Sequence, residues 1–176
     1  MIAAAQRAVL ASRLQFTSGV RLTTTAFQSG GQIPTAHTCD GSNASPALAW
    51  EGAPEATRSF ALIVDDPDAP AGDWAHWVLF SLPASSRRLE GGLPHSVDLP
   101  SGGRQGRNDF GRVGYGGPCP PPGPAHRYRF TLYALDSRLD LPAGVTKAEL
   151  QMAMRDHVLA QAELVGRYQR HAGVAR

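Results

Sequence analysis

Three acidic residues, two histidines and one tyrosine are the side chains of this chain best suited to chemistry. Asp65, Asp66 and Asp68 fall together in LIVDDPDAP, His76 lies ten residues beyond Asp66 in WAHWVLFSLP, and His126 and Tyr128 open HRYRFTLYALD. A carboxylate that accepts a hydrogen bond from one nitrogen of an imidazole leaves the other nitrogen aimed at a ligand. An aspartate at the end of one strand could orient His76 on the next in this way, and Tyr128 points to the same side of its strand as His126. Imidazoles, a phenol and glycine amides suit a phosphate or carboxylate oxygen. The bland alternative for DPD is a turn in which the aspartates accept local backbone amides. A facial metal site of one Asp and two His is set aside, because positions 66, 76 and 126 match no compact ligand motif. No GxSxG elbow, Walker A loop, dinucleotide fingerprint or HExxH helix occurs, so the common signatures of nucleophilic, nucleotide and zinc-protease chemistry are missing.

The segment before His126, GYGGPCPPPGPAHRY at 114–128, mixes glycines that permit close backbone approach with prolines that fix φ. It reads as a preformed wall of a ligand site, with a disordered linker or a polyproline ligand as the alternative. It closes a long irregular stretch, 83–125, and such loops in compact domains tend to be functional.

The elements that must position these residues are mostly strands. VRLTTTAF at 20–27 alternates as a half-exposed strand does, whereas RSFALIVDD at 58–66 is apolar on both parities, as a central strand covered on both faces would be. WAHWVLFSL at 74–82 puts Trp74, His76, Val78 and Phe80 on one face and Trp77 and Leu79 on the other. Alternation resumes at 126–136. TKAE at 146–149 is a capping box, and a helical stripe from Leu150 through Met154, Leu164 and Tyr168 predicts a helix across 147–170. Strands first and helix last give an antiparallel, mostly β domain with helix at its side.

At 176 residues with a net charge of +2, the chain supports one domain over 20–176 and has no broad electrostatic bias. Lys147 is the only lysine and the arginines are scattered, so nucleic acid is not an expected partner. No apolar run reaches the length of a membrane-spanning helix, and a soluble, cytoplasmic protein is expected. Residues 1–19 form an extension with Arg7 and Arg13 but no acid, similar in composition to a transit peptide, so an organellar or exported location is the alternative. For Cys39 and Cys119 free thiols are the expectation; a bond between them, stapling the pocket loop, is the alternative.

Together LIVDDPDAP, WAHWVLFSLP and GYGGPCPPPGPAHRYRFTLYALD resemble the phosphatidylethanolamine-binding protein family, also called Raf kinase inhibitor-like proteins. IPTAHTCDGSNASPALAW, NDFGRVGYGGPCPP and DHVLAQAELVGRY follow the bacterial-type branch, and the likeness runs from about Arg21 to Tyr168. The resemblance implies an antiparallel β-sandwich, its large sheet flanked by a smaller sheet and a C-terminal helix, with an anion pocket at one end. It implies roles in that pocket for Asp66, Asp68, His76, His126 and Tyr128, with Pro70, Trp74, Tyr115 and Gly117 as walls. Ala75 stands where some relatives carry a second histidine. It further implies a non-enzymatic protein that binds a small phosphorylated or carboxylate ligand or a phospholipid head group and regulates a kinase or protease, without metal or cofactor. A hydrolase using Asp66 and a histidine as general acid and base is the alternative.

Overall fold

The computed structural model describes residues 19–171, so the expected extension at 1–19 lies outside the described residues except for Gly19. Among the described residues, eight strands and one α-helix are formed, besides a 3-10 turn at Thr35–His37: β1 Arg21–Thr23, β2 Leu48–Glu51, β3 Ser59–Asp66, β4 Trp74–Pro83, β5 Arg88–Leu89, β6 Arg104–Gln105, β7 His126–Leu135, α1 Lys147–Met154 and β8 Val158–Tyr168. A small sheet runs β1-β2-β5 and a large one β6-β4-β3-β7-β8, with every strand pair antiparallel.

Hydrophobic burial on both faces of the large sheet explains the layers. Every residue of β3 is buried, as its unbroken apolar run requires of the middle strand. One face, with Phe60, Leu62, Val64, Trp77, Phe130 and Leu132, packs against Leu22, Leu48 and Trp50 of the small sheet. The opposite face, with Ala61, Ile63, Val78 and Phe80, is covered by Leu150 and Met154 of α1. Helix α1 begins where the capping box places it: Thr146 Oγ1 accepts from the Glu149 amide, and the Glu149 carboxylate accepts from the Thr146 amide.

The helix stops at Met154, and the expectation of helix to residue 170 is corrected by β8. Ala162, Leu164, Gly166 and Tyr168 are buried in alternation, the period of a strand, and the segment pairs with β7 from Leu135↔Val158 to His126↔Tyr168. The same residues also fit a helical spacing. The long partner edge of β7 decides between the two periods, because a full ladder of backbone bonds outweighs weak helix propensity around Val165 and Gly166. Gly166 has a second reason to sit there: a Cβ at that position would lie 2.5 Å from Ile33 Cγ1.

Candidate ligand-binding site

At one end of the large sheet, where β3 ends, β4 begins and β7 begins, a cavity of about 230 Å³ is lined by Asp66, Pro70, Trp74, His76, Phe110, Pro121 and His126, among others. Adjacent aspartates serve opposite faces, as strand geometry requires. Asp66 turns to the cavity, while Asp65 turns to the helical side and bonds Arg129 and Lys147. Asp66 Oδ2 accepts from His126 Nδ1 at 2.8 Å and Asp66 Oδ1 accepts from the Asp68 amide at 2.9 Å. A turn bond and a bond to an imidazole are therefore carried by the two oxygens of one carboxylate.

The aspartate thus orients His126 rather than His76. His76 Nδ1 instead donates to the Gly116 carbonyl at 2.6 Å, and the Gly116 amide returns a bond to the His76 carbonyl at 2.9 Å. A β-bulge explains how His76 reaches this position. Val64 pairs with Trp77 and Asp65 pairs with Ala75, so His76 is the extra residue of β4. Such an insertion re-aims one side chain and breaks strict alternation. His76 therefore leaves the face it would share with Val78 and Phe80, and its ring stands edge-on to Tyr128 on the other side of the sheet, with centroids 5.2 Å apart. Burial lowers the His76 pKa from its usual 6.5, against an opposing pull from the Gly116 carbonyl and the Asp66 charge.

The remaining residues proposed from sequence divide in two. Pro70 and Trp74 line the cavity. Tyr128 lies beneath it, its hydroxyl buried beside Asp66 without a partner in proper hydrogen-bond geometry; burial first, and the Asp66 charge second, raise the phenol well above its usual pKa. Asp68, Tyr115 and Gly117 are committed elsewhere. Asp68 accepts from the Arg127 amide, Nε and Nη2, and the Arg127 guanidinium holds its carboxyl far below the ordinary range. Tyr115 packs edge-on to Trp77 and donates to the His37 carbonyl at 2.7 Å. The Gly117 amide donates to Asn43 Oδ1 at 2.8 Å.

These contacts show what stiffens the 114–128 loop. It is anchored on the 35–44 segment by the Tyr115 and Gly117 bonds, by the Cys39 amide donating to the Pro118 carbonyl, and by a disulfide between Cys39 and Cys119. The expectation of free thiols is corrected by that bond. Eighty residues separate the two cysteines in sequence, and only the fold brings their backbones side by side. Gly117 is required for close approach, since a Cβ there would stand 2.3 Å from the His37 carbonyl oxygen and 2.5 Å from Asn43 Oδ1. Gly117→Ala is accordingly expected to cost about 2 kcal/mol by overpacking; a urea unfolding midpoint equal to that of the parent protein would contradict this.

Pro120 and Pro121 line the cavity from the 114–128 loop, and Phe110 is a lining residue that sequence reasoning did not single out. The signal for Phe110 was a lone large apolar residue in the polar run GRNDFGR. The loop around it is held at both ends: the buried Asn108 donates from Nδ2 to the Gly114 carbonyl, and Asp109 exchanges bonds with the Ala75 backbone through its amide and Oδ2. Among the described residues, no three His, Cys, Asp or Glu side chains gather as a metal site would need.

Comparison with known proteins agrees with this architecture. Residues 23–169 match the family described as phosphatidylethanolamine-binding protein. A UPF0098 protein of Methanothermobacter thermautotrophicus is 52% identical over 151 residues, 86% of this chain and 99% of that protein. YbhB of Escherichia coli is 40% identical over 157 residues, 85% of this chain and 99% of its own length. The crystal structure of E. coli YbcL, described as a new member of the mammalian PEBP family, superimposes with a TM-score of 0.82 at 36% identity, covering 87% of this chain and 99% of that one. The matched span runs from the last residue of β1 through β8 and includes the cavity, and the chain belongs to the phosphatidylethanolamine-binding protein family.

Proposed function

We propose that the protein is a non-enzymatic binding module whose cavity takes a small oxyanion, a phosphate or carboxylate carried by a small molecule or a phospholipid head group. One observation carries this reading: His76 and His126 line the same cavity, and each is anchored through Nδ1, by the Gly116 carbonyl and by Asp66 respectively. Anchoring one nitrogen fixes the ring and leaves Nε2 of each for a ligand oxygen. Regulation of a kinase or protease partner by the occupied module is the wider role, and it rests on family membership.

Titration with inorganic phosphate and with phosphoethanolamine tests the reading. Hydrogen bonds to a charged ligand are each worth about 1.5–3 kcal/mol, so His76→Ala and His126→Ala should each weaken binding by about tenfold or more. Unchanged affinity in both variants would discard it. The anion stabilises the imidazolium, so binding raises the His76 pKa from its depressed value. Affinity should then be highest and constant at low pH, fall as pH rises through the His76 pKa of the free protein, which lies below 6.5, and level off above the pKa of the complex. Isothermal titration across pH 4–8 would give profiles of the same shape for the parent protein and His76→Ala if His76 took no part.

The 2.8 Å bond between Asp66 and His126 also fits an oriented general base, which supports hydrolysis of a phosphorylated or acyl ligand as a second reading. Turnover in a broad substrate screen that disappears in Asp66→Asn would favour it, and turnover that survives that change would not. The bonded Cys39–Cys119 pair supports the exported or organellar location over the cytoplasmic one, because the cytosol usually keeps thiols reduced.

A further inference from the structure

We infer that Asp73, which lies outside the cavity, is a positioning residue for the cavity wall formed by Ala69, Pro70 and Ala71, and that ligand affinity depends on its bonds to Lys147 and Arg129. The effect on affinity rests on the anion reading above; the hold on the wall does not.

The wall belongs to the connection between β3 and β4, residues 67–73. That connection has no buried residue: Pro67, Asp68 and Ala69 are half-buried, and Pro70, Ala71, Gly72 and Asp73 are exposed. Apolar burial therefore does little to hold it. Among the described residues its backbone amides make one bond within the turn, from Gly72 to the Ala69 carbonyl at 2.9 Å, and one to a neighbouring side chain, from Asp68 to Asp66 Oδ1. The facing wall is built differently, because Pro118 and Pro120 are buried there and the disulfide and Tyr115 fix the loop.

Two carboxylates hold the connection instead, one near each end. Asp68 accepts from the Arg127 amide and guanidinium, and Asp73 accepts from Lys147 Nζ at 2.6 Å and from Arg129 Nη2 at 3.2 Å. Arg127 and Arg129 alternate with the buried His126 and Tyr128 along β7, so both arginines leave the sheet on the face away from the cavity. The wall is thus fastened from behind, and neither aspartate lines the cavity. Asp73 also immediately precedes Trp74, which lines the cavity where β4 begins. Release of the connection gains conformational entropy, whereas each partly exposed ion pair opposes that gain by only about fivefold. Both ends must therefore be held for the wall to stay closed, and loss of one leaves the closed position a minority.

Titration with inorganic phosphate and amide exchange of the ligand-free protein test this together. In Asp73→Ala phosphate should bind about threefold more weakly, following the closed fraction, and the Gly72 amide should exchange about threefold faster or more relative to the amides of β7. Loss of an acidic charge near an anion site would by itself tighten binding, so a weaker affinity marks positioning rather than electrostatics. Asp73→Glu, which keeps a carboxylate for Lys147, should return both values most of the way to those of the parent protein. Gly72 exchange in Asp73→Ala equal to that of the parent would overturn the inference whether or not phosphate binds. Faster exchange with phosphate affinity unchanged or tighter, or equal losses in the alanine and glutamate variants, would overturn it and leave the anion reading in place. Failure of the parent protein to bind phosphate would overturn the anion reading and the effect on affinity with it, while the exchange rates still decide whether Asp73 holds the wall.

Discussion

Replacing both cysteines, as Cys39→Ser with Cys119→Ser, is expected to lower the stability of the folded protein by about 4 kcal/mol, the loop-closure entropy of a bond that spans 80 residues. The bond constrains the unfolded chain more than it tightens the native one, so the loss should appear mainly as a shift of the urea midpoint under non-reducing conditions. Coincident curves for the parent and double-serine proteins would refute it. A second effect follows from where the bond lies. Cys119 lines the cavity beside Pro120 and Pro121, and Cys39 belongs to the segment that also supplies His37 and Asn43 to the pocket loop. The Tyr115 and Gly117 hydrogen bonds remain after the cysteines are replaced, so the loop should stay in place at equilibrium but open more often. Faster amide exchange over 115–123, with the β3 and β7 amides protected as before relative to their stability, is the expected pattern.

The second large effect is expected at Asp65, one residue from the ligand site and on the opposite face. Its side chain is 8% exposed and accepts from Arg129 Nε at 2.8 Å and from Lys147 Nζ at 2.5 Å. Asp73 closes the square with bonds to both cations. Asp65→Ala would leave Lys147, whose side chain is 14% exposed, with only the half-exposed Asp73 as partner. Breaking a buried pair on one side costs about 3 kcal/mol, and the surviving Asp73 places this case at that lower end. Lys147→Met should cost less, because Asp65 keeps its bond to Arg129 and the methionine still packs where the lysine stem lay. Equal losses in the two variants would show that the network acts through packing alone. Burial by itself would lower the Lys147 pKa, but hydrogen bonds to Asp65 and Asp73 outweigh it and raise the value above 10.5. The stability that the raised lysine pKa contributes is therefore fully present on the neutral side of 10.5 and is lost as pH rises through the elevated value.

The network also ties the sequence to the architecture. The only lysine of the chain is the first residue of α1, and it fastens the helix to the end of β3 that carries Asp66 on its other face. The capping box marks that helix start from four consecutive residues, 146–149, because a cap is a local interaction. The end of the helix is not local. Residues 158–168 satisfy both a helical and a strand period, and the free edge of β7, which lies before the helix in sequence, selects the strand.

The amino-acid sequence by itself determined the mostly β class, the burial of β3 on both faces, the strand starts at Trp74 and His126, and the membership of Asp66, Pro70, Trp74, His76 and His126 in one group. Each of these follows from period, composition or family motif, which are properties of short segments. Tertiary structure alone decided which partner orients which imidazole, because a bulge opposite Val64 and Asp65 turns His76 toward Gly116 and leaves Asp66 to His126. It decided as well that Cys39 and Cys119 meet, that the Gly117 amide is spent on Asn43, and that Phe110 becomes a cavity wall. These are contacts between residues 34 to 80 positions apart. Their geometry is set by strand register and loop closure, to which the periodicity of any single segment is blind.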